Sequence, residues 1–175
     1  MKLTKEQLKL CAPYAKDFNI ERYLDAINQT LEEFNINTPK RVAAFLAQII
    51  HESGSFRYSE EIATGKAYEG RKDLGNIKPG DGQRFKGRGL IQITGRNNYE
   101  AFSKFSNIDF VNFPVKITQA MHSARAAGWF WETRGLNQLA DIEDFKKITQ
   151  KINGGLNGYP DRIKHWQRCK AILNA

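Results

Sequence analysis

The chain has 175 residues, of which 41% are hydrophobic, and this suits a single folded domain with its own core. Its net charge of +8 comes from 27 lysines and arginines against 19 acidic residues, which favours an anionic partner but does not specify a fold. The basic residues are spread along the chain without a finger or RNA-recognition motif, so nucleic acid is not the expected partner. No run of about 18 apolar residues predicts a transmembrane segment, and the first residues lack the apolar stretch of a signal peptide.

The two cysteines, Cys11 and Cys169, lie near opposite ends of the chain. Two distant cysteines in a chain of cytosolic type favour free thiols, and a disulfide that joins the ends is the open alternative. The three histidines are far apart in sequence, and no group of cysteines and histidines has metal-ligand spacing. We therefore expect neither a metal site nor a cofactor.

Helical patterns account for most of the chain outside residues 53–89. Thr4 and Gln7 form a capping-box pattern before a first short helix, and Thr38 with Pro39 is a start signal for a later one. Further predicted helices cover about 20–34, 38–52, 96–105, 117–133, 144–152 and 159–173. The helix over 117–133 carries small residues that would permit close packing of a neighbouring helix.

Residues 53–89 have a different character, with eight glycines, one proline, many charges and no sustained helical period. The stretch predicts loops, with a short β-hairpin as an open alternative. A long irregular segment inside a compact domain is usually functional, so we expect it to line a substrate cleft. The predicted fold class is mainly α with one loop-rich insertion.

Glu52 continues an apolar helical face that includes Phe45 and Ile49, so a carboxylate stands where a leucine would be expected. Such a group either has an arginine or amide partner, which would make it structural, or it stays protonated, as a general acid does at neutral pH. The next acids are Glu60 and Glu61. Two carboxylates on either side of a sugar form an inverting glycosidase site, whereas a solvated surface pair is the alternative for Glu60 and Glu61.

Several polar residues could bind a sugar. Gln92 and Thr94 lie within the short apolar run 90–94, so their side chains must face a cleft or find partners. Asn98 and Tyr99 follow at once, and amides, hydroxyls and aromatic edges suit sugar rings and N-acetyl groups. Asn153 ends a predicted helix, either as a left-handed helix end or as an amide presented to substrate.

The ordered set of these motifs resembles glycoside hydrolase family 19, the family of chitinases and of lysozyme-like endolysins of bacteriophages. The motifs in chain order are His51-Glu52-Ser53-Gly54, Glu61, Lys86 to Thr94, Asn98-Tyr99, Gly128 to Trp131 and Ile152 to Gly155. The resemblance covers about residues 38–166, and residues 68–85 together with the low cysteine content are more similar to the endolysin branch than to plant chitinases. It implies a lysozyme-like helical domain over residues 1–175, in which 1–37 could be an N-terminal helical accessory segment.

The resemblance also implies a role for each matching residue. Glu52 matches the general acid, and Glu61 matches the base that activates water, with Glu60 as the alternative. Thr94 matches a residue that holds the attacking water, and Arg162 matches an arginine that pairs with the catalytic acids and would let Glu61 stay ionised while Glu52 keeps its proton. The positions that match substrate contacts are Gln92, Asn98, Tyr99 and Asn153.

The function that the resemblance implies is that of an endolysin, which cleaves β-1,4 bonds between the N-acetylated amino sugars of peptidoglycan by inversion and lyses the bacterial cell. We expect a monomer without metal or cofactor, accumulating in the host cytoplasm and then released to the cell wall, where the anionic envelope and peptidoglycan are its partners. A chitinase is the alternative enzyme. A non-catalytic cell-wall-binding protein is the alternative of another class.

Overall fold

The computed structural model describes residues 1–175 and confirms a mainly helical fold. Nine α-helices follow one another along the chain: α1 Lys5–Cys11, α2 Asp17–Glu33, α3 Pro39–Glu52, α4 Asp81–Arg84, α5 Arg96–Ser106, α6 Ala120–Thr133, α7 Leu136–Asp141, α8 Phe145–Asn153 and α9 Tyr159–Leu173. Short 3-10 turns lie at Lys66–Tyr68, Lys72–Leu74 and Pro114–Thr118. None of these helices combines the length and the apolar character that crossing a bilayer requires.

Three helices begin at side-chain caps, and the sequence predicts the start of two of them from the capping residue. The capping box of Thr4 and Gln7 is present at α1, and the Thr38 hydroxyl accepts from the backbone N–H of Arg41 at α3, where Pro39 is the first helical residue. Asp144 caps α8 in the same way. Local chemistry therefore decides where these helices start.

The helices share one core, in which α3 packs against α9, α2 against α6 and α1 against both α2 and α9. Gly128 in α6 lies where this helix closely approaches α2. A Cβ atom there would lie 2.3 Å from the Phe34 ring and 2.5 Å from the Thr30 methyl group. The prediction that small residues in this helix permit close packing is confirmed. Cys11 in α1 and Cys169 in α9 are buried, free thiols.

Residues 53–95, called the loop segment below, contain no β-hairpin. Two isolated antiparallel bridges join Arg88 to Glu60 and to Ile93, and no strand extends from them. The backbone turns away at Gly89 and Gly95, whose φ angles of +113° and +91° interrupt an extended ladder. The hairpin alternative is therefore wrong, although loops over this region are confirmed.

Side chains that bind backbone groups hold the loop segment in place. The Glu69 carboxylate accepts from the N–H groups of Gly80 and Gly82. The Asn76 amide donates to the Tyr68 carbonyl and accepts from the Arg96 N–H. The buried Asp81 carboxylate makes two contacts with the Arg96 guanidinium, of 2.7 and 2.8 Å. The segment therefore packs on the N-terminus of α5 in one defined arrangement.

Candidate active site

Glu52 is the last residue of α3, and its carboxylate meets Arg162 in the first turn of α9. Glu52 Oε1 lies 2.6 Å from a guanidinium nitrogen of Arg162. Arg162 is 1% exposed, whereas the Glu52 side chain is 23% exposed. The guanidinium is thus buried behind a carboxylate that reaches solvent. Of the partners that the sequence left open for this carboxylate, an arginine or an amide, the structure has the arginine.

Arg162 is held by a chain of buried polar groups that starts in α8. Its Nη1 donates to Gln48 Oε1 over 2.5 Å, and its Nε donates to the Asn157 carbonyl over 3.0 Å. Gln48 Nε2 in turn donates to the Thr149 hydroxyl over 3.0 Å. Sequence reasoning missed Gln48, although the signal was there: it is a polar residue in the apolar helix α3, one turn before Glu52.

A second contact joins the same two helices next to the Glu52–Arg162 pair. His51 Nδ1 lies 2.6 Å from Asp161 Oδ2, and His165 Nε2 lies 3.2 Å from the same oxygen. The His51 ring also packs against Gly158, where a Cβ atom would lie 2.3 Å from it. Neighbouring residues in each helix therefore form two parallel cross-links, which fix the end of α3 against the start of α9.

Glu61 lies in the loop segment, and its carboxylate has only uncharged hydrogen-bond donors, while Lys86 Nζ donates to its backbone carbonyl over 3.2 Å. Glu61 Oε1 accepts from the Gly87 N–H over 2.7 Å, and Oε2 accepts from the Tyr68 hydroxyl over 3.0 Å. Burial, followed by this hydrogen bond, raises the pKa of Tyr68 and keeps its hydroxyl a donor. Arg162, expected near the catalytic acids, lies on Glu52 and not on Glu61. Tyr68 is a further residue whose role the sequence did not reveal.

Glu60 has a different environment from its neighbour. Its carboxylate lies 3.1 Å from Arg88 Nε and 3.3 Å from Lys86 Nζ. The Arg88 side chain is buried and also donates to the Arg84 carbonyl. Glu60 therefore compensates a buried cation, which is a structural task, while the Glu61 carboxylate has no cation at salt-bridge distance.

The predicted substrate-contacting residues between positions 92 and 98 lie at two places: Gln92 lies beside Gly87, and Asn98 contacts Thr94. Gln92 packs on Gly87, where a Cβ atom would lie 2.5 Å from Gln92 Oε1, so Gln92 and Glu61 meet the same glycine. Asn98 Nδ2 donates to the Thr94 carbonyl over 2.8 Å. The Gln92, Thr94 and Asn98 side chains are all half-buried. They remain candidates for substrate contact.

Two of the sequence predictions require correction. Tyr99 is fully buried, and its hydroxyl donates to the Lys86 carbonyl and accepts from Arg88 Nη1, so it cannot touch a substrate. Burial raises the pKa of Tyr99, which keeps it neutral. The left-handed residue at the end of α8 is Gly154 rather than Asn153. Asn153 is half-buried, and its Oδ1 accepts from the Asn157 N–H over 3.2 Å.

The side chains around these carboxylates include cations, amides and hydroxyls, and no three histidine, cysteine or carboxylate groups converge in a way that could bind a metal ion. The fold and the carboxylates define a glycoside hydrolase. The chain belongs to glycoside hydrolase family 19, since the family model described as "Chitinase class I" matches residues 19–140. It hydrolyses glycosidic bonds, as the enzymes of this family do.

Relatives of this chain include a family 19 domain-containing protein of Haemophilus influenzae, 34% identical over 85% of this chain and 88% of that protein. Two endochitinases of Arabidopsis thaliana are 38% and 36% identical over 81% and 90% of this chain. This chain spans only 49% and 58% of their length. A bacterial family 19 chitinase has the same fold, with a TM-score of 0.81 and 21% identity over 97% of this chain and 94% of that one.

Proposed function

We propose that the enzyme is an endolysin that cleaves the β-1,4 glycosidic bonds of peptidoglycan by inversion. Glu52 is the acid that protonates the leaving oxygen, and Glu61 is the base that takes a proton from the attacking water. The observation that carries the proposal is that the structure holds both carboxylates in place, Glu52 by the buried Arg162 and Glu61 by hydrogen bonds from the loop segment. Which of the two is the acid and which the base follows from the resemblance to family 19. In this proposal the enzyme accumulates in the host cytoplasm and is released to the cell wall.

The contact with Arg162 stabilises Glu52 after the proton transfer, when its carboxylate is negatively charged. Once Glu52 has given its proton to the leaving oxygen, its new negative charge lies 2.6 Å from the guanidinium and is stabilised there. Before reaction Glu52 must hold a proton, so substrate binding has to weaken this ion pair. Glu61, held by Gly87 and Tyr68, accepts the proton of a water that Thr94 helps to place.

Peptidoglycan is favoured as substrate by charge. The net charge of +8 attracts an anionic wall polymer, whereas chitin is neutral. Chitin is the second candidate substrate, because the Arabidopsis relatives are named endochitinases. Both polymers share β-1,4-linked N-acetylated sugars, so the same carboxylate pair could act on either.

The test compares the release of reducing ends from purified peptidoglycan and from chitin oligomers, with mass spectrometry of the muropeptides to identify the bond. We expect new reducing ends from peptidoglycan, and a loss of about 10²- to 10⁴-fold in kcat for Glu52→Gln. The Tm of this variant should fall as well, because the buried Arg162 loses its charged partner, so its rate is measured at a temperature where circular dichroism shows it folded. Glu132→Gln, an exposed carboxylate on α6, is the matched control. Reducing ends from chitin alone would refute the proposed substrate, and binding to peptidoglycan without new reducing ends would favour a wall-binding protein.

A further inference from the structure

A cavity of about 410 Å³ lies beside the catalytic end of α3, against the residues that flank Glu52. Its lining comes from the end of α3, from α9 and from the chain after α1. The ionisable and aromatic side chains among the lining are His51, Asp161, Lys164, His165, Arg168 and Tyr14. Because His51 precedes Glu52 and Asp161 precedes Arg162, this cavity lies next to the Glu52–Arg162 pair along α3 and α9.

The cavity carries an excess of positive charge. Lys164 is exposed, and neither Lys164 nor Arg168 has a carboxylate within ion-pair distance. Arg168 Nη1 contacts His165 Nδ1 over 3.1 Å. Asp161 is the one acid of the lining, and its Oδ2 is already engaged by His51 and His165. Two cations therefore face the cavity with no acid of the protein to pair with them.

Tyr14 adds an aromatic surface at the same place. Tyr14 is 80% exposed, and the Arg168 guanidinium lies 6.0 Å from the centre of its ring. An exposed aromatic ring beside unpaired cations suits a ligand with a short apolar stem and a terminal anion. Peptidoglycan carries such groups, because peptides with free carboxylates branch from its sugars. Chitin has none.

We propose that this cavity binds the carboxylates of the stem peptide on a peptidoglycan strand that lies across Glu52 and Glu61. Lys164 and Arg168 receive the carboxylates, and Tyr14 packs on the aliphatic part of the peptide. The site would make the enzyme prefer peptidoglycan over a neutral strand of the same sugars. This inference rests on the proposed function, and it adds the residues that select the substrate.

The test uses Lys164→Gln, Arg168→Gln and the double variant on three substrates: peptidoglycan, carboxymethyl chitin, which is anionic without peptide, and glycol chitin, which is neutral. We expect kcat/KM on peptidoglycan to fall roughly 10-fold in the double variant, with the deficit shrinking as salt is added. Activity on glycol chitin should change less than about 2-fold. Lys104→Gln, an exposed lysine on α5, is the matched control.

The outcomes separate this site from the proposed function. A fall on peptidoglycan that is larger than the fall on carboxymethyl chitin supports the site when glycol chitin is unaffected. Equal falls on peptidoglycan and carboxymethyl chitin, an equal fall on all three substrates, no fall at all, or a fall on carboxymethyl chitin alone overturns it. Lys164→Gln keeps the test decisive if Arg168→Gln disturbs His165. A wild type inactive on peptidoglycan would refute the proposed function, whereas an active wild type with unaffected variants would refute only this site.

Discussion

The helical body, formed by α1–α3 and α5–α9, and the loop segment, residues 53–95, hold the two proposed catalytic acids by different means. In the body, Glu52 is fixed because α3 is fully packed against α9 and closes the core around Phe45, Ile49 and Ile50. In the loop segment, Glu61 is fixed by individual hydrogen bonds from Gly87 and Tyr68. The acid is thus positioned by apolar packing of its helix together with the Arg162 and His51 cross-links, and the base by polar contacts alone.

This difference has consequences for stability and for the effect of mutation. Apolar burial is spread over many atoms, so the body should lose stability only when its packing is overfilled or emptied. The loop segment depends on a few side chains such as Glu69, Asn76 and Asp81, each of which satisfies backbone groups that would otherwise be left unpaired. The stability of the loop segment should therefore fall when a single one of these polar side chains is replaced.

The largest expected effect is a fall in kcat, and it distinguishes Glu61 from its neighbour Glu60. Glu61→Gln should lower kcat by about 10²- to 10⁴-fold with little change in Tm, because the general base is lost while the Gly87 contact can remain. Glu60→Gln should chiefly lower stability, because Arg88 would be buried without its partner. Steady-state rates on glycol chitin and thermal unfolding of both variants check this. A folded Glu60→Gln protein as inactive as Glu61→Gln would make Glu60 the base.

A smaller effect is expected from overfilling the body. Gly128→Val would place side-chain atoms where Phe34 and Thr30 already lie, so the free energy of unfolding should fall by about 1–3 kcal/mol. In a protein of this size the Tm shifts by roughly 2–4 °C for each kcal/mol. Ala101→Val, an exposed site on α5, is the control and should change Tm little. Equal shifts in the two variants would show that α2 and α6 do not need this close approach.

The smallest expected effect is a response of the loop segment to acid. The hydrogen bonds from Arg96 hold the pKa of Asp81 below its ordinary value of 3.8, against the opposing effect of burial. A lowered folded-state pKa adds stability that is fully present above 3.8 and is lost as the pH falls through the lowered value. Hydrogen exchange should therefore show the contacts of the loop segment opening before α3 and α9 as the pH falls.

Asp81→Asn is the variant that tests the cause of this response. It should expose the loop segment to exchange already at neutral pH and should flatten the dependence on acid, because the titrating group is gone. If α3 lost protection first, or if Asp81→Asn kept the pH dependence of the wild type, the Asp81–Arg96 pair would not be what holds this segment.

Sequence reasoning located the helices that have clear start signals and a periodic apolar face. It placed α3, α8 and α9 within a residue or two, because Thr38 with Pro39, Asp144 and Pro160 are local signals. It missed the short helices α4 and α7, whose four and six residues are too few to show a period. The hairpin alternative failed because the conformation of Gly89 depends on contacts from distant residues.

The sequence by itself determined the mainly helical class, the family and the position of Glu52 at the end of α3, because periodicity, caps and ordered motifs are local properties of a chain. Only the tertiary structure decided which partner each carboxylate has. Arg162 reaches Glu52 from 110 residues away, and Arg88 neutralises Glu60 while leaving Glu61 to Gly87 and Tyr68. The charge environment of an acid depends on side chains within a few ångströms of it, and these come from parts of the chain that only folding brings together.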